Sequence, residues 1–76
     1  MQITPQTLPL LAQQLLSERL ARGWSRAEAA AHCGVSTSFI RDAESHPGRC
    51  SLARLLDFCG GMGLVITLEA EAIPAT

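Results

Sequence analysis

The chain has 76 residues, of which 47% are hydrophobic, and its formal net charge is −1. This length predicts one small domain over residues 1 to 76 and leaves no room for a separate catalytic domain. No segment approaches the roughly 20 apolar residues of a membrane span. Because the apolar fraction is high for so short a chain, we expect part of it to be covered in an oligomer. The N-terminal segment lacks basic residues before its leucines, so we expect no secretory signal and a cytoplasmic location.

The leucine-rich N-terminal third predicts a first helix. Thr7 is placed to cap it, Pro9 is tolerated in its opening turn, and Gly23 ends it after about Arg22. Trp24 is expected to pack in the core next to Ala29. Apolar residues at helical spacing define the core-facing stripe of this helix: Leu8, Leu11, Ala12, Leu15, Leu16 and Leu20.

Residues 24 to 44 predict two short helices joined by a sharp turn, the pattern of a helix-turn-helix that binds DNA. Ser25 and Glu28 have capping-box spacing, so the second helix is expected to begin at about Arg26. Its alanines leave little side-chain bulk, and Ala30 is the predicted crossing point for another helix. Gly34 supplies a left-handed helix end, and Ser36 is placed to cap the third helix.

Segment 45 to 48 has the composition of a turn, and Ser51 is placed to cap a fourth helix from Leu52 to about Cys59. Its predicted buried stripe consists of Leu52, Leu55, Leu56 and Cys59. Glycines at 60, 61 and 63 are expected to end this helix. Residues 64 to 69 then favour a strand, whose unpaired backbone predicts pairing with its twin across a two-fold axis. Residues 1 to 4 are a competing partner strand.

The charges are unevenly distributed along the chain. Residues 17 to 54 contain all six arginines and four acidic residues, a local charge of +2, whereas the remaining residues carry −3. A local basic surface is therefore compatible with binding a polyanion. The three cysteines, Cys33, Cys50 and Cys59, have no CxxC spacing, so we expect neither a disulfide framework nor a metal site. We also expect no cofactor.

The order of elements and several specific residues resemble the Cro/cI-like, or XRE, helix-turn-helix family, and most nearly its HipB-type antitoxins. The resemblance covers nearly the whole chain. It implies an all-α domain of four to five helices, similar to lambda repressor, with a C-terminal β-strand that pairs across a dimer. The residues that carry it are Gly23, Trp24, Ser25, Gly34, Val35, Ile40, Glu44, Pro47 and the ending 64 to 68.

Members of that branch look like homodimers that bind palindromic operators in double-stranded DNA, repress their own operon and hold a HipA-type kinase toxin. The same roles are expected here by resemblance. The implied dimer strand presents Leu64, Ile66 and Leu68. Glu44 is expected to form a structural salt bridge with Arg19 rather than to contact DNA.

Family position also assigns the DNA contacts. Arg26 would lie on phosphate together with its helix N-terminus. Arg49 and Arg54 flank the loop and the start of the fourth helix, where a phosphate contact and simple solvation are the two alternatives. Arg41 is the strongest candidate for a base contact, because a guanidinium can bond guanine O6 and N7 together; a phosphate contact is its alternative. The residues expected to face the major groove are Ser36, Thr37, Ser38, Arg41 and Asp42.

Two other functions compete with DNA binding as explanations of this sequence. An enzyme is disfavoured, because His32 and His46 lie near cysteines but lack the third orienting group that a Cys–His nucleophilic pair needs. A protein-interaction adaptor on the same scaffold is the alternative, with the small surface of residues 36 to 38 facing a protein. Salt dependence separates the two, since counterion release makes DNA binding steeply sensitive to salt.

Overall fold

The computed structural model describes residues 1–71 of the chain, and that part is all helical. Short 3-10 turns at Pro5–Thr7 and Pro47–Arg49 precede the first and the fourth helix. The predicted all-α class is confirmed over these residues. No helix within residues 1–71 is long and apolar enough to cross a membrane. The helices are α1 (Leu8–Ala21), α2 (Arg26–Cys33), α3 (Thr37–Ala43) and α4 (Leu52–Gly61).

Side-chain caps begin three of the four helices at the predicted residues. Ser25 and Glu28 form a complete capping box at α2. The hydroxyl of Ser36 accepts from the backbone N–H of Phe39 at α3, and that of Ser51 accepts from Arg54 at α4. Each cap satisfies a backbone N–H that the helix itself leaves without a partner.

The predicted cap of α1 is wrong. Thr7 stands at the N-cap position of α1 but makes no capping hydrogen bond there. Its hydroxyl instead accepts from the backbone N–H of Thr4 and donates to the carbonyl of Gln2, completing a capping box around the preceding 3-10 turn. The chain therefore enters α1 through a capped 3-10 turn, and residues 1 to 4 contain no strand.

The core lies where α2 contacts both α3 and α4. Its largest fully buried side chains are Phe58, Leu15, Ile40 and Met62. Three leucines predicted to be buried are instead largely exposed, namely Leu20, Leu52 and Leu56. In α4 the buried stripe is rotated so that Phe58 and Met62 face inward, since burying these large side chains removes more apolar surface from water.

Helices α2 and α4 approach each other closely at Gly61 and Cys33. A Cβ atom on Gly61 would lie 2.5 Å from Cys33 Sγ and 2.8 Å from Cys33 Cα. Ala30, the predicted crossing point, is half-buried at the edge of the core. The prediction that α4 ends at Cys59 is also wrong, since the helix continues through Gly61 and the chain turns at Gly63, where φ is +72°.

Residues 64 to 71 follow α4 without forming a strand in the described single chain. Leu64 and Ile66 are half-buried and pack against the chain's own core. Val65 is 83% exposed and Leu68 is completely exposed. The segment therefore has one side on the core and leaves apolar side chains uncovered. Residues 72–76, which the single-domain prediction includes, lie outside the described residues.

Candidate nucleic-acid interface

A three-residue turn joins α2 to α3. Gly34 has the left-handed conformation, with φ +70°, and its N–H donates to the carbonyl of Ala30. The N–H of Val35 donates to the same carbonyl at 3.2 Å, and the Val35 side chain is buried. Ser36 then returns to extended backbone and caps α3. This arrangement fixes the angle between α2 and α3, as in a helix-turn-helix.

One side of α3 is held firmly in the core. Ile40 and Ala43 are completely buried. Phe39 lies edge-on to Phe58, with ring centroids 6.3 Å apart, and it packs against the core. The helix therefore has little freedom to rotate, and its opposite side is held at a defined position on the surface.

The exposed side of α3 carries the side chains predicted to contact bases. The hydroxyl of Ser36 is already engaged in the helix cap and lies 3.2 Å from the Ser38 hydroxyl. Arg41 and Asp42 form no ion pair with any residue among 1–71. Thr37, Ser38, Arg41 and Asp42 are thus exposed on one short helix with donors and acceptors directed away from the core.

Three further arginines lie on elements that contact α3, namely Arg26 on α2, Arg49 in the second 3-10 turn and Arg54 on α4. Arg49 and Arg54 are exposed and have no acidic partner within the described part of the chain. Arg26, the first residue of α2, has its Nε 3.4 Å from Glu44 Oε1. Together with Arg41 they belong to residues 17–54, whose charge is +2 although the net charge of the chain is −1.

Arg19 and Glu44, which we expected to pair, form a nearly buried ion pair. Arg19 Nε donates to Glu44 Oε2 at 2.6 Å and its Nη2 donates to Oε1 at 3.1 Å. Arg19 Nη1 also donates to the carbonyl of Trp24 at 2.9 Å. The hydrogen bonds to Glu44 raise the pKa of Arg19 above its ordinary value, although burial acts in the opposite direction. The pair fastens α1 to the end of α3 and to the loop before α2.

A shallow cleft of about 420 Å³ separates the end of α3 from the start of α4. It brings Asp42, a predicted base contact, next to Arg49, a predicted phosphate contact. Burial, and then the nearby Asp42 carboxylate, raise the pKa of the Cys50 thiol in this cleft. The lining residues are Phe39, Asp42, His46, Arg49, Cys50 and Ser51.

Several contacts around the site were not predicted from the sequence. The rings of Trp24 and His32 stack at a centroid distance of 4.3 Å and an angle of 7°. Arg22 pairs with Glu18 at 2.6 Å and also donates to the carbonyl of Met62, so it joins α1 to the end of α4. The Glu18 and Arg22 spacing of four residues is a sequence signal for the first of these contacts.

The cysteines are free thiols in the structure. Cys33 and Cys59 are buried, Cys50 is half-buried, and burial raises the pKa of each thiol. Within residues 1–71, no three histidine, cysteine or acidic side chains come together as a metal site. A buried thiol with a raised pKa behaves as a small apolar side chain, so these residues contribute to packing.

The fold and the exposed α3 face define a helix-turn-helix domain. Three solved structures share this fold over 95% of the present chain. One is a HipB variant in complex with an O2 20mer, with a TM-score of 0.76, 24% sequence identity and 97% of that chain covered. The others are a protein described as MDT Protein and a HipA-HipB-O2-O3 complex, each with a TM-score of 0.77, 22% sequence identity and 99% of that chain covered. At these identities the similarity establishes the fold. No protein-family model and no curated protein matches the chain.

Proposed function

We propose that this protein is a sequence-specific repressor that places α3 in the major groove of double-stranded DNA. The observation that carries the proposal is the asymmetry of α3. One side is completely buried through Ile40 and Ala43, whereas the other presents unpaired polar and charged side chains. A rigid helix with a free polar face at the surface is what base recognition in the major groove requires.

Arg41 is the proposed main base contact. Its guanidinium is exposed and free of acidic partners among residues 1–71, so it is available to donate two hydrogen bonds to guanine O6 and N7. Such a contact discriminates against the wrong base by about 1–3 kcal/mol. Thr37 and Ser38 provide hydroxyls to bases or backbone, and Asp42 is an acceptor for a cytosine amino group. Ser36 contributes through the cap that fixes the start of α3.

Arg26, Arg49 and Arg54 are the proposed phosphate contacts. They lie on different elements around α3, so they are suited to hold the protein in one orientation on the duplex without reading its sequence. Arg26 also stands in the first turn of α2, where free backbone N–H groups favour an anion. Because these contacts release counterions from DNA, binding should weaken steeply as salt is raised.

A homodimer is the proposed binding form. The support is the C-terminal segment, in which Val65 and Leu68 are exposed although both are large and apolar. A strand over Leu64 to Leu68 that pairs with its twin would satisfy the unpaired backbone and place these side chains beside those of the partner strand. Two α3 helices related by a two-fold axis would then contact half-sites about 34 Å apart in a palindromic operator.

We further propose that this protein acts as an antitoxin. Among the similar folds, one is HipB in complex with an O2 20mer and another is an assembly of HipA with HipB, O2 and O3. By this likeness, the present protein represses its own operon and binds a HipA-like kinase toxin encoded beside it. Co-expression with the product of the adjacent gene should restore growth and yield a co-purifying complex; a toxic neighbour that this protein neither binds nor neutralises would contradict the role.

The decisive experiment measures binding to the DNA upstream of the protein's own gene and to a scrambled duplex, at low and at physiological salt. We expect tight, salt-sensitive binding with preference for the natural duplex. Arg41→Ala should remove about 1–3 kcal/mol of that preference, whereas Arg54→Ala should weaken both duplexes about equally. Equal affinity for both duplexes would contradict sequence-specific repression, and a flat salt response would favour a protein-interaction adaptor.

A further inference from the structure

A single buried carboxylate connects the predicted phosphate contact to the predicted base-contacting helix. Glu44 follows α3 directly, and its side chain is only 3% exposed. Its two oxygens accept from Arg19 Nε and Nη2, and Oε1 also lies 3.4 Å from Arg26 Nε. Glu44 thus stands between two arginines, of which one is buried and the other reaches the surface.

The two arginines differ in how tightly they are held. Arg19 is 8% exposed, and its third contact, to the Trp24 carbonyl, completes its fixation. Arg26 is 47% exposed and donates no hydrogen bond to another residue among 1–71. Its Nε lies within ion-pair distance of the carboxylate without a hydrogen bond, so its N–H donors are free for an external anion. The surface arginine therefore lies beside a fixed buried charge that attracts it.

We propose that Glu44 is a positioning residue that sets the register between the phosphate contact of Arg26 and the base contacts of α3. This inference rests on the proposed function. Since Glu44 immediately follows α3, a phosphate held by Arg26 is placed relative to Arg41 through only one carboxylate. An arginine held in this way loses less side-chain freedom when it binds an anion, which favours the one duplex register in which bases and phosphate fit together.

The charge of Glu44 also restrains non-specific binding. It partly offsets Arg26, which reaches the surface, and Arg19, which is buried, so the cluster of Arg19, Arg26 and Glu44 carries a net charge of +1 instead of +2. Attraction to any phosphate backbone grows with the number of available positive charges. The carboxylate is thus expected to increase the ratio of specific to non-specific binding through both position and charge.

Arg26→Lys tests the inference, because lysine keeps the positive charge but lacks the Nε atom that lies 3.4 Å from Glu44 Oε1. The matched control is Arg49→Lys, the same change at a predicted phosphate contact with no ion pair among residues 1–71. Affinities are measured for the natural upstream duplex and for a scrambled duplex. We expect Arg26→Lys to lower natural-duplex affinity by up to about fivefold, the upper end of the range for an exposed ion pair, and to lower scrambled-duplex affinity less.

Arg49→Lys should instead change both affinities by the same small factor. In a Glu44→Gln background, Arg26→Lys should have no further effect on the natural duplex, and the scrambled duplex should bind as well as or better than with the wild type. If Glu44→Gln fails to fold, as judged by circular dichroism, the comparison of Arg26→Lys with Arg49→Lys is sufficient to test whether Glu44 positions Arg26.

Two results would count against these ideas in different ways. A wild-type protein that binds both duplexes equally would overturn the proposed function and, with it, this inference. A wild-type protein that prefers the natural duplex while Arg26→Lys and Arg49→Lys behave alike would leave the repressor in place and overturn the role of Glu44.

Discussion

The helix-turn-helix unit and the C-terminal segment of this protein differ in whether their polar and apolar groups have partners within the chain. Between Ser25 and Glu44, the ends of both helices are capped and the buried carboxylate is paired. Residues 64 to 71 have no strand partner in the described chain, and Leu68 is completely exposed. The first region is complete within one chain, whereas the second has features that a second copy would complete.

The difference follows from the range of the interactions involved. A capping box joins residues three positions apart, so it forms wherever the local sequence allows it. A strand requires a neighbour that the same segment cannot supply. We therefore expect substitutions in the helix-turn-helix unit to change the stability of the single chain, and substitutions at the exposed C-terminal residues to change association.

The largest effect is expected at the buried ion pair. Glu44→Gln leaves Arg19 charged and buried without its counter-charge, which should lower the free energy of unfolding by about 3–5 kcal/mol. Glu18→Gln makes the same chemical change at the partly exposed Glu18–Arg22 pair, and it should cost about 0–1 kcal/mol. Urea denaturation measures both. Equal losses would show that the Arg19–Glu44 pair contributes no more than a surface pair.

The contact between α2 and α4 can be tested with two adjacent glycines. At Gly61 an added Cβ would lie 2.8 Å from the Cα of Cys33, so Gly61→Ala should force the helices apart and cost about 1–3 kcal/mol. At Gly60 nothing lies within 4 Å of an added Cβ, and Gly60→Ala should stabilise α4 by about 0.5–1 kcal/mol. Thermal unfolding of both variants measures the two changes in stability. A gain at both positions would exclude tight packing at Gly61.

A substitution at the completely exposed Leu68 tests whether the C-terminal segment mediates association. Leu68→Asp should leave the single chain as stable as before but raise the dimer dissociation constant about tenfold or more, because burial of a leucine contributes about 1.5–3 kcal/mol. Ile66→Asp should weaken association too, but it also places a charge against the chain's own core and should lower the free energy of unfolding. Sedimentation of Leu68→Asp with an unchanged dimer would remove the strand-pairing model.

The sequence predicted those parts of the fold that depend on local signals. Ser25 and Glu28, Gly34, and Ser36 each act within a few residues, and the structure has their caps and the left-handed turn at the predicted positions. It did not predict the rotation of α4, because leucines at 52 and 56 and the pair Phe58 and Met62 give two apolar stripes at helical spacing. Only packing against the other helices selects between them.

The candidate nucleic-acid interface also has features that were predicted from the sequence and one that was not. The family resemblance placed Thr37, Ser38 and Arg41 on the side of α3 that would face DNA, and all three are exposed in the structure. Their individual contacts to DNA remain predictions, since those depend on a partner rather than on the chain. The approach of Arg26 to Glu44 was not predicted, because it joins residues 18 positions apart in the sequence and depends on how α2 and α3 are packed together.

The smallest effect concerns the pH dependence of the α2 cap. Glu28 accepts a hydrogen bond from the backbone N–H of Ser25, and this bond, with a further contribution from the Ser25 hydroxyl, lowers the pKa of its carboxyl below the ordinary value. A lowered pKa in the folded state means that the stabilisation is present above the unfolded pKa and is lost as pH falls through the folded one.

Glu28→Gln keeps a hydrogen-bond acceptor but cannot titrate, so the free energy of unfolding of this variant should fall less steeply on acidification than that of the wild type. The matched control is Glu69→Gln, at an exposed acidic residue of the C-terminal segment. If Glu28→Gln and Glu69→Gln have the same acid dependence, the ionised carboxylate of Glu28 does not stabilise the start of α2.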